Sequence, residues 1–279
     1  MSFDYYAAFD RHIGLLTRDE MERVRTFHIG IAGQGGVGGN YLLALTRMGF
    51  EHFTILDHDA FDESNLNRQV GATAQTLGRR KVEVGEEMAA SINPNVKVRS
   101  VAEPFGPATV DLFFDGIDFA INAIDYLSAP VYGLLHDTAR ARGLYSLTVS
   151  PFGFGASMTV FGPQTPSFAD CVGVRPEDDE VTTIRKFWAA VTPARLPQAY
   201  LPPGALTPEP PKERIRISSL APCIYLATAL ASTEVLVTLL GKRPPILAPN
   251  VLQIDLLSRA MAVTSMDVPA ALADAAREA

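Results

Sequence analysis

The stretch that most constrains this chain runs from Phe27 to Asp59, FHIGIAGQGGVGGNYLLALTRMGFEHFTILDHD. His28 to Ala32 is a short apolar run with β-branched Ile29 and Ile31, the pattern of a buried strand. It leads into Gly33-Gln34-Gly35-Gly36-Val37-Gly38, which contains G-x-G-x-x-G. Leu42, Leu43, Leu45 and Met48 follow at helical spacing, and a second strand, Phe53 to Leu56, ends at Asp57. Strand, glycine turn, helix, strand and acidic residue stand in the order that a nucleotide-binding βαβ unit requires. Glycines permit a tight turn and close backbone approach to phosphate, and the helix N-terminus supplies free N–H groups and partial positive charge. Asp57, at a strand end, is placed to accept hydrogen bonds from ribose hydroxyls. The turn alone does not say which nucleotide.

The alternation continues downstream. Gly78 to Ile92 reads as a helix, with Val82, Val84, Met88 and Ile92 roughly on one side, and Asn93-Pro94-Asn95 stops it. Val96 to Val101 and Phe119 to Ala123 read as third and fourth strands, Ala129 to Arg142 as a helix, and Tyr145 to Val149 as a fifth strand. The expected class is α/β, a Rossmann-like doubly wound, mostly parallel sheet. Ahead of it, residues 1–26 read as a helical arm, with a capping box at Thr17 and Glu20. Beyond it come the glycine-spaced turn Pro151 to Gly155, the strand Ser157 to Phe161, and seven prolines between Pro193 and Pro211. An apolar helix from Leu220 to Leu240 and a strand from Val251 to Leu257 close the pattern. The organisation expected is a 1–26 arm, a 27–165 nucleotide-binding core, a 166–217 crossover and proline-rich lid, a 218–260 helix and strand extending the same sheet, and a 261–279 tail.

Charge and cysteine content exclude several classes. A formal charge of −7 without a basic block gives no electrostatic case for nucleic acid. Two cysteines make neither a disulfide framework nor a four-cysteine zinc site. The N-terminus lacks the basic then apolar order of a secretory signal. Leu220 to Leu240 has the length of a membrane span, but Glu234 near its centre and Pro222 favour a buried helix. The expectation is a cytoplasmic protein with no membrane role.

Polar residues then collect at strand ends and in the loops that follow: Asp57, Asn65, Arg68, Gln69, Lys81 and Asp125. In open α/β sheets that carboxyl edge is where ligands bind. Two cations near a glycine-rich anion site suit a triphosphate, and an Asp ending a central strand suits Mg²⁺. Taken together, Gly33-x-Gly35-Gly36-x-Gly38, Ile55-Leu56-Asp57-x-Asp59, Ser64-Asn65-Leu66-x-Arg68-Gln69, Gly78-x-x-Lys81, Ile92-Asn93-Pro94 and Asp125 resemble the HesA/MoeB/ThiF superfamily of ubiquitin-activating-enzyme-like adenylyltransferases. The resemblance runs through residues 9–165 and more loosely through 218–260.

That resemblance implies ATP as the nucleotide and adenylation of a carboxylate. The carboxylate would be the C-terminus of a ubiquitin-like or sulfur-carrier protein, a peptide or a small acid. By position, Asp57 would hold the ribose and Asn65, Arg68 and Lys81 would meet the phosphates; Asp59 of the same motif counts with the glycines among the cofactor-binding residues. Gln69 would support their loop and Asp125 would bind Mg²⁺. Asp10-Arg11-His12-Ile13 resembles the family's R-Y-x-R-Q-I, which makes Arg11 a candidate arginine finger across a homodimer. The first Arg of that motif is Ala8 here and its Gln is His12. No paired C-x-x-C occurs, so no zinc is expected. Cys171 lies away from the usual nucleophile position and Cys223 falls inside the apolar helix, so no family-type catalytic cysteine is expected. Two other readings use the same turn. One is a non-catalytic nucleotide-binding scaffold; the other is an NAD-dependent oxidoreductase, which leaves Arg68, Lys81 and Asp125 without a role.

Overall fold

The structure, a computed structural model, describes residues 3–124, 129–175, 177–192, 200–201 and 218–266. It divides into two compact units: Met1–Ala123 with Ala231–Pro244, and Ile124–Leu230 with Pro245–Ala279. Asp125, the tail from residue 267 and nearly all of the Pro193–Pro211 stretch lie outside the described residues.

The first unit opens with α1 (Tyr5–Ala8) and α2 (Arg18–Thr26). Thr17 Oγ1 accepts the Glu20 N–H at 3.2 Å and Glu20 Oε2 accepts the Thr17 N–H at 2.8 Å, the reciprocal cap that the sequence predicts. Then come β1 (His28–Ala32), α3 (Gly38–Arg47), β2 (His52–Leu56), α4 (Lys81–Ile92), β3 (Lys97–Val101), α5 (Val110–Phe114) and β4 (Phe119–Asn122). Their strands pair in parallel in the order β3-β2-β1-β4. Helices cover both faces. On one, α5 reaches β1 at Gly30, where an added Cβ would lie 2.7 Å from Ile117 Cδ1 and 2.8 Å from Phe113 Cζ. On the other, Ile31 and Ile55 are paired, and a Cβ on Gly85 of α4 would lie 3.3 Å from Leu42 Cδ2 of α3 and 3.8 Å from Ile55 Cδ1. A strand enclosed on both sides needs apolar residues on both sides, and β1 and β2 are buried from their second residue onward. This is the Rossmann-like α/β class expected.

One predicted boundary moves in a way that matters to the site. The helix expected from Gly78 begins at Lys81, because Gly78 has φ +80° and Arg80 is extended, with ψ 132°. Neither conformation belongs to a right-handed helix. Instead Arg80 bridges to Ala60, and the Lys81 N–H is donated to the Asp59 carbonyl at 3.1 Å.

The second unit contains α6 (Ala129–Ala141), β5 (Tyr145–Phe152), β6 (Gly155–Phe161), α7 (Phe168–Val172) and α8 (Glu180–Val191). After α9 (Ala221–Leu239), whose residues divide between the two units, come β7 (Asn250–Asp255) and β8 (Ala260–Ser265). These strands run antiparallel in the order β5-β6-β7-β8. Helices α7 and α8 are not predicted from the sequence, and β8 lies where a tail from residue 261 is expected. Small Ala260, Ala262 and Thr264 give β8 too weak an alternation to read, and pairing with β7 decides it. Among the described residues α9 alone is long and apolar enough to cross a membrane; its Glu234 is buried and receives both Nη atoms of Arg243, at 3.1 and 2.5 Å.

His136 of α6 is wholly enclosed, bonded through Nδ1 to Ser146 Oγ at 2.8 Å and stacked on Phe168. Burial pushes its pKa down to about 3, so the ring stays neutral in the fold. An unfolded chain protonates it below about pH 6.5, so this contribution to stability is complete above that pH and is lost as pH falls toward 3. At pH 5 the loss should be about 2 kcal/mol. In urea unfolding, the loss of stability between pH 7 and pH 5 should be about 2 kcal/mol smaller in His136→Gln than in the wild type.

Candidate nucleotide site

The glycine turn is locked at several points by groups of its own unit. Gly33 has φ +96°, open to glycine at little cost, and donates its N–H to the Leu56 carbonyl at 2.8 Å. At the far end, a Cβ on Gly38 would lie 1.9 Å from the Gly33 carbonyl oxygen, so the turn closes on itself there. Asp57 grips it from β2: Oδ2 accepts the Gln34 N–H at 2.6 Å, while Oδ1 accepts the Asp59 N–H at 2.8 Å. From inside α3, Asn40 Nδ2 donates to the Gly36 carbonyl at 2.8 Å. Val37, at the N-cap, makes no side-chain cap, which leaves the first-turn N–H groups of α3 to an outside acceptor. Gly35 is open: a Cβ there would meet Gln69 Nε2 at 3.9 Å and nothing nearer. A fixed set of backbone donors at a helix N-terminus, beside an open glycine, fits a phosphate.

The segment after β2 builds the flank. Asp62 Oδ1 accepts the Ser64 N–H at 2.7 Å, the Ser64 hydroxyl at 2.6 Å and Asn65 Nδ2 at 2.9 Å, which winds Glu63–Asn65 into a short 3-10 turn. Asn65 is therefore buried as a staple of its own loop. Arg68 sends Nη1 to the Ser64 carbonyl and to Asn67 Oδ1, both at 2.9 Å, and remains half-exposed. Gln69 is buried beside the glycine turn, with Oε1 unpartnered among the described residues.

Lys81 is the one buried cation of this group. Its Nζ donates to Asp59 Oδ2 at 2.8 Å with the side chain only 7% exposed. Burial works to raise the Asp59 carboxyl, but the Lys81 ammonium outweighs it and holds the group below the usual carboxylate range. An ammonium has three donors, and one goes to Asp59. Asp57, His58 and Asp59 offer ligand atoms within 4.8 Å of one another. Both Asp57 oxygens already accept backbone N–H groups and Asp59 is engaged by Lys81, so the donor set does not fit a metal by itself. Each Asp57 oxygen retains a second lone pair. Arg11 lies exposed in the Asp10–His12 turn and makes no hydrogen bond or ion pair among the described residues.

Neither cysteine is poised as a nucleophile. Cys171 is buried in α7, and burial, with Asp170 and Asp137 adding to it, pushes its thiol up to about 11. Cys223 is fully buried in α9, with Sγ 2.9 Å from the Leu220 carbonyl. At pH 8 Cys171 should hold on the order of 10²-fold less thiolate than a free cysteine. Iodoacetamide on native protein should leave both thiols unmodified by mass spectrometry; rapid alkylation of Cys171 would contradict this environment.

Of the residues singled out from sequence, Gly33, Gly35, Gly36, Gly38, Asp57, Asp59, Asn65, Arg68, Gln69 and Lys81 all belong to the first unit. Sequence reasoning missed Gln34, Asn40 and Asp62. Asn40 carried a readable signal, since asparagine in the first turn of a helix tends to bond nearby backbone.

A sequence model described as the ThiF family matches residues 9–274. The tRNA threonylcarbamoyladenosine dehydratase of Haemophilus influenzae is 37% identical over 112 residues, 40% of this chain and 43% of that protein. The probable adenylyltransferase/sulfurtransferase MoeZ of Mycobacterium tuberculosis is 28% identical over 180 residues, 64% of this chain and 45% of that protein. The chain thus spans under half the length of these curated relatives. A crystal structure of Escherichia coli MccB with ATP superposes with a TM-score of 0.66 at 15% identity, covering 88% of this chain and 66% of that one. At that identity it shares the fold.

Proposed function

The chain belongs to the ThiF family, and from that premise we propose that it is an ATP-dependent adenylyltransferase acting on a carboxylate. The observation that carries the reading is the glycine turn, held by Asp57 just past the end of β2 and by Asn40 from α3, with the buried Lys81 ammonium at the start of α4 paired to Asp59. In this reading the α3 N-terminus and the turn's N–H groups receive phosphate oxygens. The free lone pairs of Asp57 accept from the ribose hydroxyls. Lys81 uses its remaining donors on the triphosphate, and Arg68 adds a second cation. A relative named as a probable adenylyltransferase and a neighbour solved with ATP support it.

The reaction needs little acid–base chemistry. A carboxylate oxygen of the substrate attacks the α-phosphorus, forming a new O–P bond. The bond from that phosphorus to the bridging oxygen breaks, and pyrophosphate leaves with the electron pair. The nucleophile is already ionised, so no general base is required. The residues position two anions against each other and neutralise the charge that grows on the leaving group. Mg²⁺, when bound, would screen the phosphate oxygens, with Asp125 as its proposed ligand. Arg11 would reach the site of a second copy in a homodimer. The buried cysteines favour an acyl-adenylate passed on directly, without a thioester on this chain.

Thermal unfolding with Mg·ATP, with NAD⁺ and with neither tests this. A ligand at about a hundred times its Kd adds roughly 2.7 kcal/mol, a shift of a few degrees at this size. The expected result is a shift with Mg·ATP that is weakened in Asp125→Ala, and no shift with NAD⁺. An NAD⁺ shift alone would mean an oxidoreductase, and no shift with either a scaffold. Pyrophosphate exchange with Arg11→Ala at wild-type rate would remove the trans role of Arg11.

A further inference from the structure

The β5–β6 pair of the second unit is buried on both faces, yet only one face is apolar. Leu147, Val149, Ala156, Met158 and Val160 share the apolar side. Register places Thr148 and Ser150 of β5 opposite Thr159 and Ser157 of β6, and Ser157 opposite Gln253 of β7, so these polar residues share the other side. All five are at most 2% exposed. The cover is aromatic: Phe152 and Phe161 on the same face pack with Tyr132 of α6, Phe168 of α7, and Phe187 and Trp188 of α8. Thr148 Oγ1, Ser150 Oγ, Ser157 Oγ and Gln253 Oε1 beneath it, and Trp188 Nε1 within it, are buried without a hydrogen-bond partner among the described residues.

Polar groups enclosed without partners cost stability, and apolar isosteres would remove the cost. Five on one sheet face and the ring above it, in a second unit whose other sheet face is apolar, mark a surface built for something that pairs with them. We infer that this face is a binding site for a neutral amide group of a small ligand. Three hydroxyls donate and accept, the Gln253 carbonyl only accepts, and the Trp188 indole only donates, which complements an amide N–H and C=O together. No cation and no free carboxylate lies among the five, so a charged group entering here would be desolvated without a counter-charge. Asp255, at the end of the face, is already engaged by the Tyr200 hydroxyl at 2.9 Å and by Ser258 Oγ at 2.7 Å. The inference rests on the second unit alone and needs no nucleotide.

Trp188 is the only tryptophan of the chain, so its indole N–H gives a single resonance in ¹⁵N-labelled protein. Acetamide and N-methylacetamide, probes for a side-chain and a backbone amide, are titrated against acetate and methylammonium. The expected result is a saturable shift with at least one amide, with Kd on the order of 1–10 mM for so small a ligand, and none with the ions. Whichever amide binds identifies the source. In Ser150→Ala/Ser157→Ala, and separately in Gln253→Leu, affinity should fall at least about tenfold while the melting temperature stays at or above that of the wild type. The site is refuted by no response to either amide, by an equal response to acetate, or by unchanged binding in both variants. A melting temperature several degrees lower in the double variant would also refute it, because the hydroxyls would then be satisfied internally, as by a structural water.

Discussion

Lys81→Met should lose adenylyl transfer by about 10²–10³-fold while keeping its fold. Methionine retains the buried unbranched stem and removes the ammonium. The partner left behind, Asp59, has a side chain 51% exposed, so water can solvate it once the cation is gone. A pair with one member in water contributes about 1 kcal/mol or less, and the melting temperature should move by a few degrees at most. Under the proposed reaction catalysis should suffer far more, because the ammonium that Asp59 holds at 2.8 Å is the cation assigned there to the charge growing on the leaving group. ATP–pyrophosphate exchange measures this directly: exchange at the wild-type rate in Lys81→Met would remove the role of Lys81, and no carboxylate-dependent exchange in the wild type would remove the proposed reaction.

Gly38→Ala should destabilise the first unit by about 3 kcal/mol or more. The added Cβ would lie 1.9 Å from the Gly33 carbonyl oxygen and 2.8 Å from its carbon. Both are backbone, so no side chain can swing aside. Opening the turn would also strain the bonds from Gln34 N–H to Asp57 and from Asn40 to the Gly36 carbonyl. Gly35→Ala is the informative contrast. Its Cβ would stand 3.9 Å from Gln69 Nε2 and crowd nothing, so the fold should hold while affinity for Mg·ATP falls, because the methyl would occupy the space over the turn. Urea unfolding and ATP-dependent thermal shifts on the two variants separate these outcomes. A wild-type unfolding midpoint for Gly38→Ala would show that the turn does not close as described.

What the sequence determined by itself was local. Consecutive apolar residues marked β1 and β2, Thr17 and Glu20 announced their reciprocal cap, and the glycine spacing announced the tight turn between β1 and α3. Each signal lies within a few residues or one βαβ unit, where steric rules and hydrogen-bond geometry act directly on neighbours. The tertiary structure alone decided how distant groups share their partners. Lys81 and Asp59 are far apart in sequence, and they meet because the Ala60–Arg80 bridge folds the intervening loop back and delays the start of α4. Nothing in either residue type announces that pairing. Likewise Ser150, Ser157 and Gln253 read as ordinary polar positions on alternating strands, whose polar side is normally solvated. Only the packing of α6, α7 and α8 over that face makes them buried, because burial belongs to the assembled layers and not to the strand that carries the residue.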